Sequence, residues 1–307
     1  MTEKSTRRET ASQALLAGKL DVEGMDDVLG LYRDLFELNE KSSVGGENRR
    51  ALTEEEAQMR LSEGFTLIDP EEMVPDEDEL AVMVGQVIHV LGRHSEDSAA
   101  LLSDMAGLED DTARLRGLAR IYLTEGEEPL RKNLVSIEGV NPEVVMFVLF
   151  NALKRPFLEA AVRCADVDTS SWEKGHCPVC GGEPAVAYMM GEGGKRHLIC
   201  HRCEAHWRYR RLACPYCGHE NPRESGYLYS EDPDYRNLSA SVCSQCQSYI
   251  KGWRIEGDDL GSAHPEVEDL KTPGFDRAIE EEGYSRGAPN ICGVWIGTIT
   301  EEEAEDA

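Results

Sequence analysis

Apolar residues in the first half of the chain recur at three- and four-residue steps, the period of one face of an α-helix. One such run starts at Met25, a second at Leu80 and a third at Val144. Further helical patterns cover residues 99–107, 111–124 and 129–137. The pattern therefore predicts that this half of the chain is all-helical.

Some residues mark where these helices begin. Thr53, with Glu56 three residues later, forms a capping-box signature. Asn141 can cap the helix that starts at Pro142, because the missing N–H of proline is tolerated at the first helical position. Pro156 lies inside the same apolar pattern, so we expect a kink or a break at that point.

The pattern changes at Trp172, where glycine, proline and cysteine become frequent and the apolar runs become short. Residues 197–199 and 207–212 are β-prone, and no helical period returns until about residues 274–282. This half is therefore predicted to consist of small β-ribbons. The last residues, 301–307, are mostly acidic and are predicted to be a solvated tail.

Composition and charge narrow the class of protein. The chain has 307 residues, which is long enough for more than one folded domain. Of these residues, 40% are hydrophobic and 30% are charged. Its longest purely apolar run, Val144 to Phe150, is far shorter than the ~20 residues that span a bilayer. The pair Arg7-Arg8 lacks the apolar stretch of an export signal, so we expect a cytoplasmic protein. A net charge of −27 argues against general affinity for nucleic acid or anionic lipid.

Eight of the ten cysteines form four CxxC pairs, a spacing that lets both sulfurs of a pair reach one metal ion. In the first and third pairs, a proline follows the first cysteine and a glycine follows the second, which suits a tight turn. Connections of 19 and 25 residues separate the pairs within each half of the region. Sequential pairing predicts two four-thiolate metal sites, formed by Cys177, Cys180, Cys200 and Cys203 and by Cys214, Cys217, Cys243 and Cys246.

The residues alone leave the metal open, because four sulfurs in a tetrahedral arrangement suit both zinc and iron. Thiol–disulfide exchange is disfavoured, since that chemistry uses one CxxC at the start of a helix. Cys164 and Cys292 stand alone and are interpreted as small buried apolar groups. Five histidines in the region are interpreted as surface groups or as partners of the ligands, because eight cysteines already complete two sites.

The cysteine region also differs in charge from the rest of the chain. From Trp172 to Ile255, 11 basic residues stand against 9 acidic ones, a net of +2. Charge balance is one explanation, because zinc with four thiolates carries about −2. A partner-binding surface is the alternative, with Trp207, Arg208 and Arg211 as candidate contact residues. No phosphate-binding loop, nucleophile elbow or HExxH motif occurs, so an enzyme is not expected.

Several segments carry a resemblance to a known family: CPVCGGEP from Cys177, KRHLICHRCEAHWRYRRLACPYCG from Lys195, VCSQCQSYIKGW from Val242, VEDL from Val267 and EEEGYSR from Glu280. They resemble the formate dehydrogenase accessory (formation) protein family, FdhE. His206 departs from the family pattern, which has an acidic residue before the tryptophan. The tail after Asn290 is also unlike the family's ending.

The resemblance implies a helical N-terminal domain followed by two rubredoxin-like modules. It further implies an accessory protein that binds the catalytic subunit of a molybdenum or tungsten formate dehydrogenase in the cytoplasm before export. In the family, the CxxC cysteines carry iron and are implicated in binding that subunit. By resemblance, these roles fall on the eight paired cysteines.

Together these inferences predict an α+β multidomain fold with two metal ions, iron by resemblance or zinc. The predicted parts are a flexible N-terminus (1–19), a helical domain (20–171), a first rubredoxin-like β-ribbon module (172–212), a second such module with a C-terminal extension (213–297) and an acidic tail (298–307). The predicted function is a non-catalytic maturation chaperone for formate dehydrogenase. The alternatives are a rubredoxin-like electron carrier with two iron sites and a zinc-ribbon binding module.

Overall fold

The computed structural model describes residues 26–41, 52–94, 103, 105, 107–191, 193–230, 235–256 and 264–294. The predictions for residues 1–19, for 298–307 and for most of 99–107 lie outside these residues. The chain divides into two compact units: one holds the described residues up to Val167 except 58–65, and the other holds residues 58–65 and those from Asp168 onward. The domain boundaries given above stay a prediction.

Before Asp168 the described chain is helical, as its apolar period predicts. The helices are α1 (Asp26–Lys41), α2 (Glu54–Glu63), α3 (Glu77–His94), α4 (Thr112–Thr124), α5 (Glu127–Val135) and α6 (Pro142–Arg163), with a short 3₁₀ helix at Glu71–Met73. Helix α3 packs against α1, α4 and α6. Its buried stripe includes Leu80, Val84 and Val87, which recur at the predicted spacing. No helix in the described ranges is long and apolar enough to cross a membrane.

Two of the predicted helix starts are confirmed by their hydrogen bonds. The Thr53 N–H donates to the Glu56 carboxylate at 2.9 Å, and the Glu56 N–H donates to Thr53 Oγ1 at 3.3 Å. The Asn141 side chain accepts the N–H of Glu143 at 3.1 Å. These contacts satisfy backbone donors that the first turn of a helix leaves without an internal partner.

A kink or a break was expected at Pro156, and the break is wrong, because α6 continues through this residue to Arg163. Proline removes one backbone hydrogen bond from a helix interior. Here its neighbours Leu153 and Phe157 are fully buried. Burial of this apolar face offsets the lost bond, since tertiary packing supplies most of the stability of a helix in a protein.

From Asp168 onward the described chain forms strands and two short helices. The strands are β1 (Pro184–Met190), β2 (Lys195–Cys200), β3 (His206–Arg208), β4 (Ser225–Tyr229), β5 (Leu238–Cys243), β6 (Ser248–Arg254) and β7 (Ser285–Arg286), and the helices are α7 (Pro265–Leu270) and α8 (Pro273–Glu281). The α+β fold class is thus confirmed. Strand β3 is shorter than the predicted run over residues 207–212, and α7 was not predicted.

The strands of the two cysteine-rich halves belong to one mixed sheet, in the order β3-β2-β1-β6-β5-β4. Each half contributes an antiparallel three-stranded piece. A parallel pair, β1 with β6, joins them, and Tyr188 lies opposite Trp253 there. Strand β7 pairs in parallel with the first part of β6, where Tyr249 lies opposite Arg286. The two ribbons predicted from the sequence are therefore halves of a continuous sheet.

A buried network of charges attaches α7, α8 and β7 to this sheet. Lys251 of β6 contacts Asp269 of α7 at 2.8 Å and Asp276 of α8 at 2.5 Å. Arg286 of β7 contacts the same two carboxylates at 2.5 and 3.1 Å. The Tyr249 hydroxyl donates to Asp276 at 2.7 Å. Two cations and two anions balance, which is the condition under which burial of charge is tolerated.

Candidate metal centres

The first cluster brings together Cys177, Cys180, Cys200 and Cys203, all of them buried. The Sγ atoms of Cys177 and Cys203 are 3.6 Å apart, and those of Cys180 and Cys200 are 3.5 Å apart. A tetrahedral ion with metal–sulfur bonds of about 2.3 Å separates its sulfurs by about 3.8 Å. The cluster could therefore hold one metal ion with little rearrangement.

The second cluster brings together Cys214, Cys217, Cys243 and Cys246, as sequential pairing predicts. Its Sγ distances are 3.7 Å between Cys214 and Cys246 and 3.8 Å between Cys217 and Cys243. Unlike the first cluster, it is partly open to solvent, because Cys217 is exposed and Cys246 is half-buried. The two clusters match in geometry and differ in access.

Backbone amides point at the sulfurs of the first cluster. The N–H groups of Val179 and Gly182 donate to Cys177 and Cys180 at 3.4 Å, and that of Cys203 donates to Cys200 at 3.5 Å. Such dipoles stabilise negative charge on sulfur without adding a charged side chain. The tight turn of a CxxC pair thus provides hydrogen bonds as well as ligand spacing.

All four CxxC turns place the residue after the second cysteine in the left-handed region. The first and third pairs use glycine there, Gly181 with φ 75° and Gly218 with φ 73°. The second and fourth use Glu204 with φ 55° and Gln247 with φ 54°. Side chains with a Cβ are disfavoured in this conformation. The glycines that the sequence pattern singled out therefore relieve strain that the other two pairs retain.

Burial opposes ionisation of all four thiols of the first cluster, but hydrogen bonds among the thiols outweigh it at Cys180 and Cys200, whose pKa is lowered. Burial raises the pKa of Cys177 and Cys203 well above the usual range. Burial opposes ionisation of Cys180 as well, but hydrogen bonds from the other three thiols and the charge of Arg202 lower its pKa. Four thiolates therefore need a cation among them, which is the chemistry of a metal site.

The third CxxC pair packs tightly against segments from elsewhere in the second unit. The Tyr216 hydroxyl donates to the carbonyl of Pro184 at 3.0 Å. A Cβ on Gly287 would overlap the Tyr216 ring, and one on Gly175 would overlap the carbonyl oxygen of Pro215. Both glycines are needed because these neighbours come too close for any side chain.

The candidate contact residues differ in access. Trp207 is only 2% exposed, and its Nε1 donates to the carbonyl of Lys174 at 3.2 Å. Arg208 and Arg211 are exposed. A partner that approaches this segment would therefore meet the two arginines, whereas the indole ring lies in the interior. Their role in binding stays a prediction.

The histidines of the region lie outside both groups of ligating atoms. His206 pairs with the Tyr188 hydroxyl at 3.0 Å, and His197 stacks on the Tyr188 ring. His219 contacts Glu224, and His201 pairs with the carbonyl of Glu183. Of the two lone cysteines, Cys292 is buried and Cys164 is half-buried.

Known proteins resemble this chain in sequence and in fold. A family model described as "FdhE, central domain" matches residues 176–211, which contain the first cluster. A protein FdhE homolog of Aquifex aeolicus is 30% identical over 50% of this chain and 54% of its own length. Another, of Pseudomonas aeruginosa, is 32% identical over 57% of this chain and 60% of its own length. The chain thus spans a little over half the length of these relatives.

A crystal structure of the FdhE protein from Pseudomonas aeruginosa has the same fold, with a TM-score of 0.63 at 21% identity over 94% of each chain. The chain is thus similar to FdhE proteins in sequence around its cysteine-rich half and in fold. The FdhE central-domain match begins at His176, just before the first CxxC pair, and ends at Arg211. It therefore includes both exposed arginines of the candidate contact segment.

Sequence reasoning missed three parts of this structure. It did not single out the buried Lys251 network, the close approach at Gly287 or the buried Arg196 described below. Part of the network lies in segments that carried the family resemblance, VEDL with Asp269 and EEEGYSR with Arg286. These two segments resemble the family although they contain no cysteine. Their charged residues were the signal from which the network could have been predicted.

Proposed function

We propose that this protein is a non-catalytic, cytoplasmic accessory protein of the FdhE family that helps to mature a molybdenum- or tungsten-dependent formate dehydrogenase. It would bind the catalytic subunit of that enzyme through its cysteine-rich unit. Each four-cysteine cluster would hold one metal ion, iron or zinc. The observation that carries the proposal is the pair of four-cysteine clusters on one sheet, in a chain similar to FdhE proteins.

The metal assignment is supported by the fit of the sites. Eight thiol sulfurs form two groups whose cross-pair distances, 3.5 to 3.8 Å, agree with tetrahedral coordination. None of these eight described cysteines forms a disulfide. A bound ion would neutralise thiolates that burial otherwise disfavours, and it would stabilise the turns that carry them.

The partner surface is supported by the basic segment 208–211, which begins at the last residue of β3. Arg208, Arg210 and Arg211 are exposed, and Tyr209 between them is buried. Arg210 forms an ion pair with Glu220. Arginine recurs at protein interfaces because its planar guanidinium binds carboxylates in pairs of hydrogen bonds. This segment would be the first surface that an acidic partner meets.

Gene deletion followed by a rescue assay tests the function. Loss of formate oxidation in the deletion strain, restored by the wild-type gene, is the expected result. Rescue should fail with Cys177→Ser/Cys180→Ser and with Cys214→Ser/Cys217→Ser. Cys164→Ser is the matched control, because this half-buried cysteine lies outside both clusters. Normal formate oxidation in the deletion strain would overturn the proposal.

Metal content and colour test the electron-carrier alternative. Exposure of Cys217 gives the second cluster the access that electron exchange requires. A red protein with two iron ions, bleached by dithionite, would support a redox role in addition to partner binding. A colourless protein with two zinc ions would exclude electron transfer and leave the accessory role intact.

A further inference from the structure

A cavity of about 60 Å³ lies beside the second cluster and is lined in part by Cys214 and Cys243. A water molecule needs roughly 10–15 Å³ by the same measure, so the cavity has room for several waters or one small chemical group. It also draws on β2, β4 and β5. The site is therefore built from both halves of the sheet.

Arg196 brings a buried positive charge to this cavity. Its side chain is 3% exposed, and Nη1 donates to the carbonyls of Ala213 at 3.0 Å and Arg211 at 3.5 Å. Nη2 is also buried and has no hydrogen-bond partner among the residues that the structure describes. Within the same residues, no carboxylate lies at ion-pair distance from this guanidinium. A buried N–H without an acceptor loses its hydration with no compensation, which points to a ligand.

Ser225 also lines this cavity and carries a second unpartnered polar atom. It lies in β4, opposite Cys243 of β5. Its hydroxyl is buried and, within the described ranges, lacks a hydrogen-bond partner. A hydroxyl and a guanidinium N–H are both donors, so together they suit a ligand with acceptor oxygens.

The rest of the lining favours a carboxylate over a larger or more highly charged anion. Leu212, Val242 and Ile250 contribute apolar surface, which suits a short hydrocarbon stem. A neighbouring four-thiolate zinc site would carry about −2, so it would disfavour a dianion such as phosphate. A carboxylate brings one negative charge, which matches the one buried guanidinium of the lining, that of Arg196, whereas Arg211 is exposed.

We infer that this cavity binds a carboxylate group on a short apolar stem, held by Arg196 and Ser225. Leu212 and Arg211 line it and are exposed, so it opens to solvent at the basic segment. The carboxylate comes either from a free acid or from an acidic side chain or chain end of a partner protein. In the second case the inference deepens the proposed function, and it rests on that function only for the identity of the partner.

Isothermal titration calorimetry on the full-length, metal-loaded protein tests the inference with two matched pairs of probes. One pair is butyrate and butyramide. The other is an acetylated pentapeptide with a central glutamate and its glutamine analogue. We expect an acid to bind and its amide not to bind, because only the acid pairs with the guanidinium.

Three variants connect such binding to the cavity. Ser225→Ala should weaken the acid about ten-fold, through loss of one hydrogen bond to a charged group. Arg196→Met should abolish binding. Lys195→Met, which removes a charge from an exposed neighbour on the same strand, should leave binding unchanged. Ser225→Ala keeps the test informative if Arg196→Met fails to fold.

The probes also identify the source of the carboxylate. Binding of the glutamate peptide indicates a partner protein, and binding of butyrate alone indicates a free acid. The inference is overturned if neither acid binds a protein with two metal ions and a native circular dichroism spectrum. Equal binding of the amides, or wild-type affinity in Ser225→Ala, would overturn it too. A deletion strain with normal formate oxidation would refute the proposed function while leaving the calorimetric result unaffected.

Discussion

Replacement of Arg286 by methionine should strongly destabilise the second unit. Arg286 is buried and contacts two fully buried carboxylates, Asp269 and Asp276. Without it, Lys251 alone faces both carboxylates, and one negative charge is left without compensation. Removal of one partner from a buried ion network typically lowers the free energy of unfolding by ~3–5 kcal/mol. We expect Arg286→Met to fall in that range at neutral pH.

A second substitution separates charge imbalance from lost packing. Asp276→Asn removes a negative charge, so Arg286→Met/Asp276→Asn restores neutrality around Lys251 and Asp269. The double variant should therefore be more stable than the sum of the two single effects predicts, by at least ~1 kcal/mol. Arg277→Met is the matched control, because Arg277 is exposed on α8, next to Asp276. This substitution should change stability by less than ~0.5 kcal/mol.

The loss of stability in Arg286→Met should also depend on pH in a defined direction. Burial alone would raise the pKa of Asp269, but the charges of Arg286 and Lys251 hold it below its usual value. In the wild type, this stabilisation is present above the unfolded carboxyl pKa of about 3.9 and is lost as the pH falls through the folded pKa. In Arg286→Met, burial dominates and favours the protonated carboxyl. The difference in free energy of unfolding between Arg286→Met and wild type should therefore be smaller at pH 5.5 than at pH 7.

Urea unfolding followed by circular dichroism, with metal kept saturating, measures these differences. Arg286→Met, Asp276→Asn, the double variant and the Arg277→Met control are compared at both pH values. The reasoning is refuted if Arg286→Met lies within ~1 kcal/mol of wild type, since a buried uncompensated charge cannot be that well tolerated. Strict additivity in the double variant would refute the charge explanation specifically.

Other predictions concern the metal-binding turns. Glu204→Gly and Gln247→Gly should each raise stability by about 1 kcal/mol in thermal unfolding, because glycine relieves the left-handed strain; a loss of stability would contradict this. A competing chelator should remove metal in two phases, faster from the second cluster, and Cys217→Ser should alter only the fast phase; a single phase would contradict unequal access. Gly287→Ala should destabilise by ~1–3 kcal/mol in urea, since the added methyl overlaps the Tyr216 ring; wild-type stability would show that this ring can move.

The sequence predicted those structural features whose interacting residues are close together in the chain. The capping contacts at Thr53 and Asn141 depend on residues two or three positions away, so the sequence displays both partners. Each CxxC pair is local in the same way, because it forms its own turn, and pairs that are consecutive in the sequence share a cluster. The break allowed for at Pro156 did not occur, because burial against distant residues outweighed the loss of one hydrogen bond.

Features that depend on distant partners left no comparable pattern. Strand β1 joins β6 in parallel, with Tyr188 opposite Trp253, and a parallel pair needs no short turn to mark it. Lys251 interrupts an apolar strand for no local reason, since its partners Asp269 and Asp276 lie on helices further along the chain. The cavity at Arg196 arises only when both halves of the sheet are assembled.

The parallel pairing of β1 with β6 also sets an order of events during synthesis. All four cysteines of the first cluster have been made once the ribosome passes Cys203. Trp253, the partner of Tyr188, is made 65 residues after Tyr188. At 5–20 residues per second, the free edge of β1 waits roughly 3 to 13 s for its neighbour. An open edge strand is a template for incorrect pairing. Early metal capture by the first cluster would fix the hairpin during that interval, and the arrival of β6 would then close the edge.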